Sequence, residues 1–400
     1  MSQQHLWLTK DHLLDQIEGV LNFYNKYALR TEGGFYQQLN AQGEHHPDNV
    51  HHLVSSTRIV VNFARGMMLF GKPEYEINVR HGLAFIRDQH RWQNGQGYDW
   101  VMTHDQASDS DQYCYGYAFL MLAYANALQA GISESGLWLE ETYTLMEKYF
   151  WQPESGLYAD QLSADLQRLD SYRGQNANMH ACEAMIAAYE ATNDSKYLQR
   201  AMQLAENIVV RSTATTEGLL WEHYTIDWQV DWDYNKNDPQ NLYKPWGYQP
   251  GHFTEWTKLL LMLQSHQPTD WLLERAQLFM DVALKYSWDD LHGGLSYGFD
   301  PDYLICDDNK YFWVQAETLA AIAWLMHHLD GETYKKPFTD LAAYIEKHFI
   351  VPDQNIWYRL LNRQNQQTEE WIAAPGAKCD YHNLGACYDI LRSLPASGVK

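Results

Sequence analysis

The chain has 400 residues, of which 29 are basic and 51 acidic, for a net charge of −22. That balance excludes nucleic acid and an anionic membrane surface as partners, because phosphate is bound through basic faces. Apolar residues make up 46% of the chain and 16 are tryptophan, so a large core can form, and no apolar run is long enough to span a bilayer.

Residues 1–16 are polar and carry no apolar signal core. The first predicted helix covers 11–27, where Leu13, Ile17, Val20 and Leu21 recur at helical spacing. Gly34-Phe35-Tyr36 follows, and then Glu44-His45-His46-Pro47 and His51-His52, expected as solvated surface. A second helix, over 53–68, is apolar or small nearly all round, the mark of burial on most sides.

The same succession then returns five times: an amphipathic helix, a glycine with aromatics, an apolar helix. The second round is 73–89 with Pro73 in its first turn, Gly97-Tyr98-Asp99-Trp100, and 115–128. The third is 135–149, Gly156-Leu157-Tyr158 and 179–191; the fourth is 195–210, Gly218-Leu219-Leu220-Trp221 and 253–263. The fifth is 271–286, Gly294-Leu295-Ser296-Tyr297 and 314–325; the sixth is 334–349, a degenerate Asn355-Ile356-Trp357-Tyr358, and 384–391. Successive glycine-aromatic segments lie 63, 59, 62, 76 and 61 residues apart.

A period near 60 with helix–loop–helix content is one closed array rather than separate domains. The expected fold is all-α: an (α/α)6 barrel of six inner and six outer helices, residues 1–400 as a single domain, with short β-hairpins on one rim. Every inner helix is entered from that rim, so the first turns share one funnel, with unpaired N–H groups and positive dipole ends facing it. The five cysteines are odd in number and lack CxxC spacing. They point to a reducing compartment, the cytoplasm, and to neither disulfide nor zinc.

At the inner-helix starts stand Arg58, Tyr115 and Tyr117, Asn176 and His180, His252 and Glu255, Trp313 and Glu317, and Lys378, Asp380 and His382. A lone histidine at a helix start is usually a cap or a satisfied core group. Three histidines, two glutamates and an arginine at one phase of the repeat are harder to dismiss, since buried charges are costly unless paired or used. His180–Glu183 and His252–Glu255 read His-x-x-Glu, which puts both side chains on one helix face and permits metal ligation. The weaker fit to known ligand sets leads to an expectation of no metal and no cofactor. A histidine pair suits proton transfer beside a carbonyl. Glu255 and Glu317 would suit glycoside hydrolysis, which needs two carboxylates. Of the aromatics, Trp313 is the one expected to face a sugar.

Tyr172-Arg-Gly-Gln-Asn-Ala-Asn-Met-His180-Ala, Asp233-Tyr-Asn-Lys-Asn-Asp-Pro239, Pro250-Gly-His252-Phe-Thr-Glu255-Trp256 and Lys378-Cys-Asp-Tyr-His382 resemble the N-acylglucosamine 2-epimerase superfamily, and within it the bacterial aldose–ketose isomerases. The resemblance runs from Arg58 to His382. It implies an (α/α)6 barrel and cofactor-free interconversion of an aldose and its 2-ketose through an enediol, with a monosaccharide as the small-molecule partner. By position, His382 would move the proton between C2 and C1, and His252 would be the acid/base partner for ring opening and the enediol oxygens. Arg58, Asn176, His180, Glu255, Trp313 and Glu317 would hold the sugar and the developing negative charge. Tyr117 stands where relatives often carry Gln or His. Val54 and Leu242 stand where the sulfosugar members carry an aromatic and an arginine. The lost cation implies a neutral sugar, with mannose–fructose isomerisation first. A 2-epimerase, a glycoside hydrolase and a non-catalytic sugar-binding barrel are the alternatives.

Overall fold

The computed structural model describes residues 3–47, 50–329, 331–368 and 379–394. Twelve α-helices occur among them. The outer ones are α1 (Lys10–Tyr27), α3 (Pro73–Phe85), α5 (Ser135–Phe150), α7 (Ser195–Glu206), α9 (Asp270–Ser287) and α11 (Glu332–His348). The inner ones are α2 (Leu53–Phe70), α4 (Cys114–Gln129), α6 (Gln175–Thr192), α8 (Pro250–His266), α10 (Phe312–His328) and α12 (Tyr381–Ser393). Each inner helix packs on the next, and α12 returns to α2, so the fold is an (α/α)6 barrel. Asn62 of α2 donates to the Cys379 carbonyl at 2.9 Å across that closure.

The two rings differ as the patterning predicts. In α4, every residue from Gly116 to Ala127 is buried. In α7, burial is confined to Tyr197, Leu198, Ala201, Leu204 and Ala205, a single stripe. Each fully buried Leu or Phe contributes about 1.5–3 kcal/mol relative to exposure. No helix among the described residues is long and apolar enough to cross a membrane.

The glycine-aromatic segments turn the chain from outer to inner helix. Gly294 has φ 76° and Asn355, its degenerate counterpart, φ 58°. Asparagine is among the few L-residues that visit this left-handed region readily, which explains the substitution. Side chains near the inner-helix starts then pin these segments by their backbone. Gln112 holds both polar groups of Tyr98, Asn178 those of Tyr158, Gln315 those of Leu295, and Asp380 accepts from Trp357 N at 3.0 Å.

Short antiparallel pairings stitch neighbouring loops around the rim: Val50–His52 with Val101–Thr103, Gln112–Tyr113 with Gln161–Leu162, Arg173–Gly174 with His223–Tyr224, and Lys310–Tyr311 with Leu360–Leu361. These strands therefore join adjacent repeats as well as forming hairpins such as Trp151–Gln152 with Leu157–Tyr158.

Two expectations need correction. Inner helices α6, α8, α10 and α12 begin at Gln175, Pro250, Phe312 and Tyr381, two to four residues before the predicted 179, 253, 314 and 384. The first turns of α6 and α12 are polar and that of α8 carries Pro and Gly, so the apolar pattern starts late there. His51 and His52 are buried rather than solvated, at 1% and 6% exposure. His52 caps α2, accepting from Val54 N at 3.2 Å, and burial pushes its imidazole down to about 3.

Candidate active site

A cavity of about 650 Å³ opens at the rim. Arg58, Asn176, His180, His252, Glu255, Trp313 and His382 all line it. Glu317, expected among them to hold the sugar, stands behind the wall, 2% exposed. Tyr117 also lies off the cavity, donating to Gln112 Oε1 at 2.7 Å. Asp380 is an anchor: besides Trp357 it accepts from Tyr24 and Asn383, which fixes the start of α12. Lys378 lies outside the described residues.

The centre of the site is a pair of histidines that both neighbour one indole. The Trp313 ring centroid lies 5.2 Å from His252 and 5.8 Å from His382. The motif glycine before His252 makes room for that indole, because a Cβ on Gly251 would fall 2.3 Å from it. Each imidazole is held from behind by a carboxylate. His382 Nδ1 lies 2.7 Å from Glu317 Oε1, and His252 Nδ1 lies 2.9 Å from Glu222 Oε2. A carboxylate on Nδ1 takes the N–H and fixes the tautomer, so Nε2 keeps its lone pair on the other side of the ring.

The backing groups differ. Glu222 Oε2 also accepts from Gln175 Nε2 at 2.9 Å, and Gln175 Oε1 accepts from Trp256 Nε1 at 2.8 Å. Glu317 Oε2 accepts from Lys258 Nζ at 2.5 Å, and Lys258 also meets Asp389 at 3.1 Å. Burial opposes the ammonium, but Glu317 and Asp389 outweigh it and hold Lys258 above its ordinary range.

The remaining wall is polar. Arg58 Nη2 donates to Tyr115 OH at 3.0 Å, its guanidinium lying over the Phe119 and Tyr381 rings. His180 Nδ1 lies 2.9 Å from Glu183 Oε2, and Glu183 Oε1 accepts from Tyr381 OH at 2.7 Å. Glu255 is 1% exposed and its Oε1 has no hydrogen-bond partner. Burial, then the nearby Glu317 charge, push its carboxyl well above the usual carboxylate range. Burial, then the Arg58 charge, hold His382 well below the usual imidazole value, and burial lowers His180 as well. Imidazoles held toward the neutral form beside a carboxyl held toward the protonated form make a site that can take and give protons.

Two trios, His180–Glu183–Glu255 and Glu255–Glu317–His382, bring donor atoms within 4.8 Å of one another and could hold a cation. Glu183 and Glu317 already accept hydrogen bonds on both oxygens, which leaves Glu255 Oε1 as the uncommitted carboxylate donor.

Sequence reasoning missed Glu222, Gln175 and Lys258. Glu222 lies in a loop outside the helical phase. Lys258 offered a signal, a charged residue inside the apolar run of α8, which must be paired if the helix is buried all round.

The sequence pattern of the N-acylglucosamine 2-epimerase family matches residues 34–386. The D-mannose isomerase of Marinomonas mediterranea is 46% identical over 388 residues, spanning 96% of this chain and 98% of that protein. A crystal structure of a D-mannose isomerase superposes with a TM-score of 0.94 at 45% identity, covering 97% of this chain and 99% of that one. The cellobiose 2-epimerase of Bacillus thermoamylovorans B4167 shares the fold, with a TM-score of 0.84 at 18% identity over 96% of this chain and 100% of that one. The chain thus belongs to the N-acylglucosamine 2-epimerase family.

Proposed function

We propose that this protein is a cofactor-independent aldose–ketose isomerase that interconverts D-mannose and D-fructose. The observation that carries the reading is the pair of carboxylate-held histidines beside Trp313 in one cavity. The near-full-length likeness to a D-mannose isomerase supports the choice of sugar.

His252 Nε2 takes the O1 hydroxyl proton and passes it to the ring oxygen as the C1–O5 bond breaks, and the pyranose opens to the free aldehyde. His382 Nε2, neutral because its imidazole is buried, then takes the C2 proton. The C2–H electrons form the C1–C2 double bond, and the carbonyl oxygen becomes an enediolate. His252 moves the hydroxyl proton between O2 and O1. His382 returns its proton to C1, leaving a ketone at C2. Glu317 and Glu222 stabilise the positive charge on each imidazole as it is protonated. Arg58, Asn176, His180 and Glu255 hold the hydroxyls, and N–H and protonated carboxyl donors aimed at the enediolate lower the barrier. Trp313 supplies an apolar face to the sugar ring. Glu317 acts through His382 rather than on the sugar.

The test is NMR of the products from mannose. Fructose as the first product is expected. Glucose appearing first, with no fructose, would mean C2 epimerisation and overturn the reading. In D2O, retention of some C2 proton at C1 is expected from a single shuttling base. Chelation should leave the rate unchanged; loss restored by a divalent ion would put one of the two donor trios into the mechanism.

A further inference from the structure

The two histidine–carboxylate pairs look alike from the cavity and differ behind it. Glu222 is backed by a neutral amide, Gln175, and its Oε1 is buried without a hydrogen-bond partner. Glu317 is backed by the ammonium of Lys258, itself buried and shared with Asp389. A buried cation at this depth is costly unless it serves the groups around it. We propose that Lys258 is a positioning residue that divides labour between the histidines: fixed between Glu317 and Asp389, it keeps His382 neutral in the free enzyme and so assigns the role of carbon base to His382 rather than to His252, whose pair has no such cation.

The effect is electrostatic. A carboxylate whose second oxygen accepts from an ammonium attracts a proton on the neighbouring imidazole less than one backed by an amide. The ammonium also repels the imidazolium directly. Both effects disfavour protonation of His382, and they act in the same direction as burial. The charged and titratable groups around His382 are Arg58 from α2, His180 and Glu183 from α6, Glu255 and Lys258 from α8, and Glu317 from α10. On the α1 side, Tyr24 is engaged with Asp380. Among these, Glu317 is the carboxylate that touches the imidazole, and Lys258 is the cation that touches Glu317. Lys258 does not line the cavity, so it acts on His382 from behind, through Glu317 and through its own charge.

The experiment makes the two pairs alike. Lys258→Gln puts an amide behind Glu317, as Gln175 stands behind Glu222. The first readout is 15N NMR titration of His382 in labelled protein without substrate. It needs no turnover, so it stands even if the isomerase reading on which the division of labour rests were to fail. The His382 midpoint should rise by about one pH unit or more in the variant, since removing a neighbouring charge moves a group by that order. The second readout is the pH dependence of kcat/KM, whose acid limb should move up with it. Lys258→Arg should keep the limb near its wild-type position. Asp389→Asn leaves the ammonium less neutralised and should move the limb the other way, by less. A purely structural role for Lys258 would lower the rate without shifting midpoints in opposite directions. Identical His382 midpoints in wild type and Lys258→Gln would overturn the proposal. If Lys258→Gln does not fold, Asp389→Asn decides alone: a downward shift supports the proposal, and no shift or an upward one overturns it.

Discussion

The two halves of the site are built on different kinds of scaffold. His382, Glu317, Lys258 and Asp389 all stand on inner helices, three of which pack side by side in the closed ring. His252 also stands on an inner helix, but its carboxylate does not. Glu222 lies in the long loop between α7 and α8, held through its backbone by Gln175 N at 3.2 Å and by the adjoining pairing of His223–Tyr224 with Arg173–Gly174. Side chains on packed helices hold a fixed geometry; loops over a rigid scaffold move more easily. The helix-borne pair suits the step that tolerates least displacement, the transfer of a carbon-bound proton. The loop-borne pair suits a partner that must serve several oxygens in turn.

Removing each imidazole gives the largest expected effects. His382→Ala should lower kcat by about 10⁴-fold, the upper end for a general acid–base group, with circular dichroism and melting close to wild type. His252→Ala should cost about 10²–10³-fold on mannose. Its deficit should shrink on an aldose with a larger open-chain fraction, since the proposed mechanism gives it ring opening. The same deficit on both sugars would assign His252 to the enediol step alone.

The carboxylates sharpen the contrast. Glu317→Gln should lower kcat by about 10–100-fold, the loss typical of carboxylates that orient metal-ligating histidines. It also strips the buried Lys258 of one partner, so its melting point should fall. Glu222→Gln should cost less in both respects, because the loop can adjust and no cation is left unpaired. Equal losses in the two variants would remove the distinction between a helix-borne and a loop-borne pair.

How much of this was written in the sequence follows the same division. The six-fold return of glycine and aromatics gave the barrel, because it marks every entry into an inner helix. The phase of that repeat gathered Arg58, His180, His252, Glu255 and His382 at one rim, and all five line the cavity. What stayed hidden were partners without phase. Glu222 and His252 are 30 residues apart, Lys258 and Glu317 59, and Glu317 and His382 65. Such pairings depend on how adjacent helices are rotated, which a single chain's periodicity does not record. For the same reason Glu317, at the right phase, was expected on the sugar although it faces an imidazole and an ammonium. The polar first turns that bring candidate residues to the cavity also masked the starts of α6 and α12.

The smallest expected effect separates the pH response of the two pairs from that of the fold. His52, His51 and His90 are buried in the first two repeats, and burial holds them down at about 3, about 4 and about 4. All three start from an unfolded value of 6.5, so the native state binds fewer protons than the unfolded state below that pH. Their contribution to stability is therefore complete above pH 6.5 and is lost as pH falls toward about 4, where the unfolded chain gains from charging. A group whose folded and unfolded midpoints lie one pH unit apart contributes about 1.4 kcal/mol. His90 hydrogen-bonds Ser56 and the Asp99 carbonyl, roles that a glutamine side chain can fill. His90→Gln should flatten the fall in melting temperature between pH 6.5 and 4 while leaving the acid limb of kcat/KM in place, because the proposed mechanism assigns that limb to His382. If the activity limb moved together with the melting curve, acid inactivation would be unfolding, and the pH profile would carry no information about which histidine is the base.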